Sequence, residues 1–297
     1  MLEPKIKLGI IRSPQGYSLS TVMQTAALEQ LNINGEYKSY EAKPEDLEKL
    51  FKKLKDLKVS GVNVTIPHKI SIIPFLDELT ERAKLIGAVN TVTFKEGGKT
   101  IGDNTDSSGF WKGIPEDIRG GLIEREVVML GCGGAACAVA IAFLSNKIKT
   151  LKIYARDKNK LNNFKSTLEQ KKEKLKSNTT IEADLLANIN LANVSMLVNT
   201  TPLGMDPDIN SSPVSIDKLK ELPDDATVYD IIYKPQETKL LKNARSLKRK
   251  TINGVEMLVR QGAESLNIWL EKEVAPLSVM RMAVLESLER DASLRGA

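Results

Sequence analysis

The chain has 297 residues, of which 41% are hydrophobic and 27% charged, a balance typical of a globular protein long enough to form two domains. Its net charge of +5 comes from 43 Lys and Arg against 38 Asp and Glu, distributed along the whole sequence. So small an excess favours a small anionic ligand and argues against nucleic-acid binding, which requires clustered basic and aromatic residues.

Cysteine and histidine are too few for a metal centre or a disulfide framework. The chain has two cysteines, Cys132 and Cys137, and one histidine, His68, so no bound metal ion is expected. Residues 1–11 become strand-like at once, without the apolar segment of a signal peptide. We therefore expect a reduced, cytoplasmic protein.

Strands and helices alternate over the first third of the chain. The hydrophobic pattern predicts strands over residues 7–11, 37–42, 62–66, 89–94 and 100–103. Helices are predicted from Ser18 to about residue 32, from Pro44 to residue 57 and over residues 70–86. This alternation indicates a first α/β domain with a mostly parallel sheet.

A glycine turn opens the second part of the chain. The apolar run from Val127 to Leu130 leads into Gly131-Cys132-Gly133-Gly134-Ala135-Ala136, which predicts a buried strand followed directly by a helix. Gly131 permits a tight turn, Gly133 lets the backbone approach a pyrophosphate, and Ala136 lets the helix pack closely on the strand. Since a helix N-terminus also offers free N–H groups to phosphates, the pattern predicts the first βα unit of a dinucleotide-binding domain.

Two other interpretations fit the same stretch. Residues 127–146 carry no charge and are long enough to span a membrane, although three clustered glycines and a strand-like start argue against a transmembrane helix. A glycine pattern of this kind also occurs as a structural turn in unrelated α/β proteins.

The α/β pattern continues to the end of the chain. Strands are predicted over residues 151–155, 196–199 and 228–232, and helices over 158–176, 238–247, 257–272 and 277–294. Residues 201–213 contain three prolines and form a predicted loop at the carboxyl ends of the strands. We expect a second α/β domain, followed by helices that return to the first.

Four polar stretches lie near the ends of the predicted strands, where ligands bind in parallel α/β sheets. Taken singly, Ser18 would be a helix cap, Asn90 a turn residue and Lys69 a surface lysine. Together the stretches resemble the shikimate dehydrogenase family. The matching motifs are S-L-S at Ser18 to Ser20, N-V-T-I-P-H-K at Asn63 to Lys69, G-A-V-N-T at Gly87 to Thr91, G-x-N-T-D-x-x-G at Gly102 to Gly109, the glycine turn, Tyr233 in D-I-I-Y-K-P, and G-x-x-M-L-x-x-Q-G-A at Gly254 to Ala263.

The resemblance implies two α/β domains with a cleft between them. Residues 1–108 and 257–297 would form a discontinuous substrate-binding domain, and residues 109–256 a Rossmann domain that binds NADP. The implied activity is the reversible NADPH-dependent reduction of 3-dehydroshikimate to shikimate, in the biosynthesis of chorismate and the aromatic amino acids. The implied partners are these small molecules, with no nucleic acid and no membrane, for a monomer or homodimer.

Lys69 and Asp106 match the catalytic pair of the family, beside the reacting carbonyl oxygen. A lysine is a poor base at neutral pH, and a neighbouring carboxylate raises its pKa further. We therefore expect Lys69 to donate the proton and to stabilise the developing negative charge, while Asp106 holds the lysine and a substrate hydroxyl.

The other site residues follow from the same match. Ser18, Ser20 and Tyr233 would bind the substrate carboxylate, and Thr65, Asn90, Asp106 and Gln261 its hydroxyls. The expected cofactor contacts are Gly131, Cys132, Gly133, Gly134, Ala135, Ala136, Ala155, Arg156, Asp157, Thr200, Ile231, Gly254 and Met257. His68 is expected to be structural, because neighbours at a strand end point in different directions.

The sequence departs from the family pattern around both ligands. Tyr17 and Thr21 stand where members usually carry histidine and proline, which bears on substrate preference. Ala155-Arg156-Asp157 replaces a segment resembling Asn-Arg-Thr; an arginine suits the 2′-phosphate of NADP, whereas an acid suits the ribose hydroxyl of NAD. Arg156, with nearby Lys158 and Lys160, favours NADP, and NAD stays possible.

Two alternative functions remain. A quinate or dual quinate/shikimate dehydrogenase that uses NAD would carry the same motifs. A non-catalytic protein that senses shikimate-pathway metabolites would use the same scaffold, but the presence of both Lys69 and Asp106 argues for catalysis.

Overall fold

The computed structural model describes residues 6–15 and 18–295. Tyr17, one of the departures from the family pattern, lies outside the described residues. The chain folds into two compact units. The first unit comprises residues 1–105 and 259–297, and the second unit comprises residues 106–258.

Strands and helices alternate along most of the described chain. The strands are β1 (Ile6–Arg12), β2 (Gly35–Glu41), β3 (Gly61–Val64), β4 (Glu78–Leu79), β5 (Thr91–Phe94), β6 (Thr100–Asp103), β7 (Glu126–Leu130), β8 (Thr150–Ala155), β9 (Thr180–Leu185), β10 (Met196–Asn199), β11 (Thr227–Asp230) and β12 (Lys250–Ile252). The helices are α1 (Ser20–Gln30), α2 (Leu47–Asp56), α3 (His68–Ser71), α4 (Glu81–Ile86), α5 (Asp106–Gly113), α6 (Glu116–Gly120), α7 (Gly134–Leu144), α8 (Lys158–Leu175), α9 (Ile216–Leu219), α10 (Lys239–Ser246), α11 (Val255–Leu270) and α12 (Leu277–Arg295).

The first unit contains a six-stranded sheet in the order β2-β1-β3-β5-β6-β4. β1 is parallel to β2 and β3, and β4 is parallel to β6, whereas β5 runs antiparallel to both of its neighbours. The prediction of a mostly parallel sheet is confirmed, with one reversed strand that the pattern did not show. Because β5 is reversed, its first residues lie at the same edge as the last residues of β3 and β6.

Helix α2 illustrates how the apolar pattern builds the core of this unit. Leu47, Phe51 and Leu54, spaced three or four residues apart on one face of the helix, share a buried core with Val62 and Val64 of β3. Most lysines between them remain exposed. The lysine run is therefore the solvated face of an amphipathic helix.

The continuous helix predicted over residues 70–86 is wrong. The chain forms α3, a 3-10 turn over Ile73–Phe75, β4 and α4 instead. Pro74, within that turn, lacks an N–H group and its ring would clash with the carbonyl four residues earlier, so a helix cannot continue through it. As a result Lys69 lies in a helix of a single turn.

Helix α1 begins at Ser20, and Ser18 is not its N-cap as the pattern predicted; Leu19 occupies that position. The Ser18 hydroxyl accepts a hydrogen bond from the backbone N–H of Ser20 (3.2 Å) and donates one to its Oγ (3.0 Å). The two serines are therefore held together at the start of the helix.

The second unit contains a six-stranded parallel sheet in the order β12-β11-β10-β7-β8-β9. Counted from β7, this is the 3-2-1-4-5-6 order of a dinucleotide-binding fold, in which the direction of chain progression reverses between β7 and β10. Residues 127–130 of β7 are all buried, as expected for a central parallel strand covered on both faces. The ligand-binding edge of such a sheet lies at the carboxyl ends of β7 and β10.

The uncharged stretch after Glu126 forms β7 and the eleven-residue helix α7. Helix α7 is apolar because it is buried almost all round, and Phe143 packs edge-on against Phe110 of α5 with ring centroids 5.3 Å apart. No helix in the described part of the chain is both long enough and apolar enough to cross a membrane.

The pattern does not predict several short elements, including the edge strands β9 and β12. Ile181 is the one fully buried residue of β9, and β12 has none. A strand that buries so little apolar surface leaves only a weak period-two signal. β9 and β12 therefore join the sheet through backbone pairing with β8 and β11, respectively.

Trp269 of α11 anchors that helix to the sheet of the first unit. Its indole N–H donates a hydrogen bond of 3.0 Å to the carbonyl of Val92, and its ring lies against Gly61. A Cβ atom at Gly61 would lie 2.7 Å from Cε2 of the indole and closer still to Nε1. The glycine is thus required by close approach of the tryptophan.

Gly61→Ala is expected to lower the free energy of unfolding by about 1 to 3 kcal/mol, because an overpacked core must displace the indole. Chemical denaturation measures the loss. Gly120→Ala is the control, since a Cβ there meets no atom within 4 Å, and it should change stability by less than about 0.5 kcal/mol. Equal stabilities of the two variants would contradict the packing argument.

Candidate active site

Backbone hydrogen bonds bring the polar stretches of the first unit together. The N–H of Val64 donates to the carbonyl of Asn90 (2.9 Å), and the N–H of Asn90 donates to the carbonyl of Asp103 (3.0 Å). The N–H of Val89 donates to the carbonyl of Lys69 (2.8 Å). Three motifs that are far apart in sequence therefore meet at one edge of the sheet.

The side chain of Asn90 is the hub of this edge. It is buried, and its amide nitrogen donates to Oγ1 of Thr105 (2.9 Å) and to Oε1 of Gln261 (3.2 Å). Its amide oxygen accepts hydrogen bonds from the hydroxyl of Thr91 (2.8 Å) and the backbone N–H of Thr105 (2.9 Å). Two predicted substrate contacts, Asn90 and Gln261, are thus bonded to each other.

A second layer of buried polar groups, which the sequence did not predict, supports Asn90. The amide of Asn63 donates to the carbonyl of Asn90 (3.1 Å) and to Oγ of Ser265 (3.0 Å), and accepts from the phenol of Tyr37 (2.8 Å). The hydroxyls of Ser265 and Thr91 lie 2.7 Å apart. The sequence signal for this layer is Asn63 itself, which lies between the apolar residues Val62 and Val64, because a buried polar side chain needs hydrogen-bond partners.

An ionic cluster fixes the segment that precedes Asp106. Arg82 of α4 binds both carboxylate oxygens of Asp103, and its other terminal nitrogen pairs with Glu264. Asp103 also accepts hydrogen bonds from the hydroxyl of Thr80 (2.6 Å) and the N–H of Asn104 (2.7 Å). Burial alone would raise the pKa of Asp103, but the hydrogen bonds from Arg82 and Thr80 hold it below its usual value. The carboxylate therefore stays ionised and keeps the end of β6 in place.

Lys69 is half-buried in α3 and follows the buried residue His68. Nε2 of His68 donates a hydrogen bond of 2.9 Å to the carbonyl of Ala42, which ties the short helix to the end of β2. His68 therefore has the structural place expected for it. The half-buried Thr65 makes no side-chain hydrogen bond with any residue in the described ranges, so its hydroxyl is available to a ligand.

Two of the predicted substrate-binding residues belong to the second unit. Asp106 is the buried first residue of α5 and directly follows Thr105 in the chain. Tyr233 is half-buried after β11, and burial raises the pKa of its phenol to about 12. The phenol is therefore neutral at physiological pH and can donate a hydrogen bond. The pairing of Lys69 with Asp106 stays a prediction.

The glycine turn lies where β7 and β10 diverge. Gly131 has a positive φ of 106°, and a Cβ there would lie 2.8 Å from Oγ1 of Thr200, whose hydroxyl donates to the carbonyl of Leu130 (2.6 Å). At Gly133 and Gly134 an added Cβ would meet no atom within 4 Å. A side chain at Gly131 would therefore collide with the protein, whereas the space beside Gly133 and Gly134 is open.

This geometry fits a dinucleotide pyrophosphate. Gly133 is the N-cap of α7, whose first intrahelical bond runs from the N–H of Cys137 to the carbonyl of Gly133. The N–H groups of Gly134, Ala135 and Ala136 precede that bond and are left for an anion. Burial raises the pKa of the Cys132 thiol, which keeps this residue of the turn uncharged.

Arg156 and Asp157, which pointed to different cofactors, have different environments. Asp157 is the N-cap of α8, and its Oδ1 accepts hydrogen bonds of 3.0 Å from the N–H groups of Asn159 and Lys160. Arg156, after the buried Ala155, is exposed and makes no hydrogen bond or ion pair with any residue that the structure describes. The acid is thus engaged by its own helix, while the guanidinium is available to a phosphate.

The remaining expected cofactor contacts are Ile231, which follows β11, and Gly254 and Met257, which follow β12. The N–H of Gly254 donates to the carbonyl of Ile232 (3.0 Å), and a Cβ at Gly254 would lie 2.9 Å from the carbonyl carbon of Ile232 and closer still to the carbonyl oxygen of Ile231. Met257 follows in the first turn of α11. Gly254 is therefore required by backbone packing against the segment that carries Ile231 and Tyr233.

A parallel sheet in this order, with an open glycine turn at the switch point, is the dinucleotide-binding half of a two-unit dehydrogenase. Comparisons with known proteins identify which one. Residues 10–92 match the family described as the shikimate dehydrogenase substrate binding domain, and residues 254–285 match the shikimate 5'-dehydrogenase C-terminal domain.

Relatives extend the match over almost the whole chain. A protein of Methanococcus maripaludis named shikimate dehydrogenase (NADP(+)) is 41% identical over 285 residues, covering 96% of this chain and 98% of the relative. A crystal structure of shikimate dehydrogenase in complex with NADP+ is similar with a TM-score of 0.86 and 35% identity, over 95% of this chain and 96% of that one. Quinate dehydrogenase from Corynebacterium glutamicum in complex with NAD gives 0.84 and 29%, over 95% and 99%. The chain belongs to the shikimate dehydrogenase family, which confirms the resemblance drawn from its motifs.

Proposed function

We propose that the chain catalyses the reversible NADP-dependent interconversion of shikimate and 3-dehydroshikimate, a step of chorismate biosynthesis. The observation that carries this proposal is the 41% identity over 285 residues to a relative named for that activity. The site supports it, because shikimate presents one carboxylate and three hydroxyls, and the expected contacts are hydroxyls, amides and a carboxylate. Sites of this kind reject a wrong substrate by leaving buried polar groups unpaired.

We assign substrate binding to residues 1–108 with 257–297 and NADP binding to residues 109–256. The description of the family that matches residues 10–92 supports the first assignment, and the strand order around the glycine turn supports the second. We assign the substrate carboxylate to Ser18 and Ser20 of the substrate domain and to the neutral phenol of Tyr233, which belongs to the other domain. Thr65, with its available hydroxyl, would bind a ring hydroxyl together with the residues around Asn90.

A bound nicotinamide would supply or accept the hydride. Reduction of the ring ketone places negative charge on its oxygen, which needs a proton donor at hydrogen-bonding distance. We assign that role to the ammonium group of Lys69, with Asp106 holding the lysine and a substrate hydroxyl. The backbone hydrogen bonds from Val89 to Lys69 and from Asn90 to Asp103 support this assignment, because they hold Lys69 and the segment that precedes Asp106 in place.

NADP is the proposed cofactor because Arg156 alone of the two opposed residues is free to bind the ribose substituent. Oδ1 of Asp157 is engaged by the N–H groups at the start of α8. Lys158 and Lys160 add positive charge at the start of the same helix. The cytoplasmic location and the choice between monomer and homodimer stay predictions.

Quinate is the second candidate substrate. The similarity to quinate dehydrogenase and the presence of Thr21 in place of the usual proline favour testing it. Initial rates of oxidation of shikimate and of quinate, each with NADP and with NAD, distinguish the alternatives. We expect shikimate with NADP to be preferred; comparable rates with quinate would indicate a dual enzyme, and no rate with any pair would favour a metabolite sensor.

Lys69→Ala is expected to lower kcat by about 10²- to 10⁴-fold while changing the KM for shikimate little, because a general acid acts in the transition state. Steady-state kinetics at saturating NADP measure both constants. Lys84→Ala, which removes an exposed lysine of α4, is the matched control and should behave as wild type. A large rise in KM with normal kcat would overturn the assignment.

Arg156→Ala is expected to lower kcat/KM for NADP by roughly 10- to 100-fold, the loss of a charge-assisted contact, and to leave NAD use unchanged. Asp157→Ser is the informative partner, since serine is also a good N-cap and preserves the start of α8. Because Asp157 is engaged by the helix, this variant should use NAD no less well than wild type. A marked loss of NAD use in Asp157→Ser would show that its carboxylate binds the ribose.

A further inference from the structure

The second unit contains a buried acid that the proposed reaction does not use. Asp230 is the last residue of β11 and is 0% exposed, as is Asn199, the residue paired with it on β10. Charged side chains are almost never fully buried unless paired, so its place after the apolar run Val228-Tyr229 calls for an explanation.

Three neutral donors satisfy the carboxylate. Oδ1 accepts hydrogen bonds from Nδ2 of Asn199 (3.1 Å) and the backbone N–H of Ile232 (3.2 Å), and Oδ2 accepts one from the hydroxyl of Thr238 (2.7 Å). Burial raises the pKa of Asp230 to about 6, although these hydrogen bonds oppose the rise. A buried carboxylate without a cation is costly, so the three bonds must compensate for its desolvation.

Each donor belongs to a segment that carries expected ligand contacts. Asn199 precedes Thr200, and its amide oxygen accepts hydrogen bonds from the N–H (2.9 Å) and hydroxyl (2.7 Å) of Thr201. Ile232 lies between Ile231 and Tyr233. The carboxylate is therefore the common partner of the two segments that leave β10 and β11.

Thr238 is the third donor and lies at the far end of the segment that leaves β11, residues 231–238. Its Oγ1 also accepts from the N–H of Leu241 as the N-cap of α10. A Cβ at Gly204 would lie 3.3 Å from Cβ of Thr238, so the segment after β10 packs against the same residue. Residues 200–204 and 231–238 are thus fastened at their ends by one buried cluster: Asp230, Asn199 and Thr238.

We propose that Asp230 is a positioning residue, whose carboxylate holds the segments carrying Thr200, Ile231 and Tyr233 in the geometry that binds substrate and cofactor. It acts through Asn199, Ile232 and Thr238 and does not touch either ligand. This inference rests on the proposed function for its effect on kinetics. Its effect on the two segments is independent of any activity.

The test uses the whole chain and near-isosteric variants. Asp230→Asn removes the charge, and Thr238→Val removes both the hydrogen bond to Asp230 and the longer one from the N–H of Leu241 at nearly constant shape. Thr238→Ser keeps the hydroxyl and is the conservative rescue. Thr227→Val, at the buried start of the same strand, is the control for general damage to β11.

Asp230→Asn and Thr238→Val are expected to raise the KM for shikimate and for NADP at least about tenfold, or about 1.4 kcal/mol, with kcat changed less than about threefold. In the ligand-free chain, amides of residues 200–204 and 231–238 should exchange hydrogen faster. Thr238→Ser and Thr227→Val should match wild type in both measurements.

Unchanged KM values and unchanged exchange in these variants would overturn the proposal, whatever their melting temperatures. If Asp230→Asn fails to fold, Thr238→Val against Thr238→Ser decides it. A wild-type chain with no shikimate activity would refute the proposed function alone, because the exchange of the two segments would still show whether the buried cluster positions them.

Discussion

A side-chain amide has two N–H donors and one carbonyl oxygen, and Asn90 uses all of them inside the protein. This saturation fixes the start of β5 relative to Thr105, which follows β6, and to Gln261 of α11. It also means that a substrate hydroxyl cannot simply be added to Asn90. Exchange of its 3.2 Å hydrogen bond to Gln261 for a bond to the substrate would turn two amides toward one ligand.

The two units present different chemical groups at their candidate binding sites. The first unit relies on side chains, whose hydroxyls and amides are held by Asn63, Ser265 and the ion pair between Arg82 and Asp103. The second also presents backbone N–H groups, left open by glycines at the start of α7. Side-chain donors read the stereochemistry of a ring, whereas backbone N–H groups suit a pyrophosphate that is the same in every dinucleotide.

The sequence predicted most of the fold where structure is locally determined. The turn from β7 into α7 depends only on neighbouring residues. Pro74 also acts locally, since it interrupts the helix that was expected over residues 70–86. Hydrogen bonds between residues distant in the chain could not be predicted. Asn63 and Ser265 are 202 positions apart, and no residue near either one indicates that the two are paired. The role of Asp157 stays open in the sequence for another reason, because one carboxylate can bind a ribose or cap a helix, and composition does not distinguish the two.

That cap on α8 also constrains how the enzyme can change its cofactor. An acid already stands at the position that would favour NAD, yet its oxygen is committed to Asn159 and Lys160. Turning Oδ1 toward a ribose would leave those N–H groups unpaired and cost about 1 kcal/mol of helix stability. A mutational route from NADP to NAD that uses this oxygen of Asp157 therefore has to supply α8 with a new cap, so the folding of a helix opposes the change of cofactor.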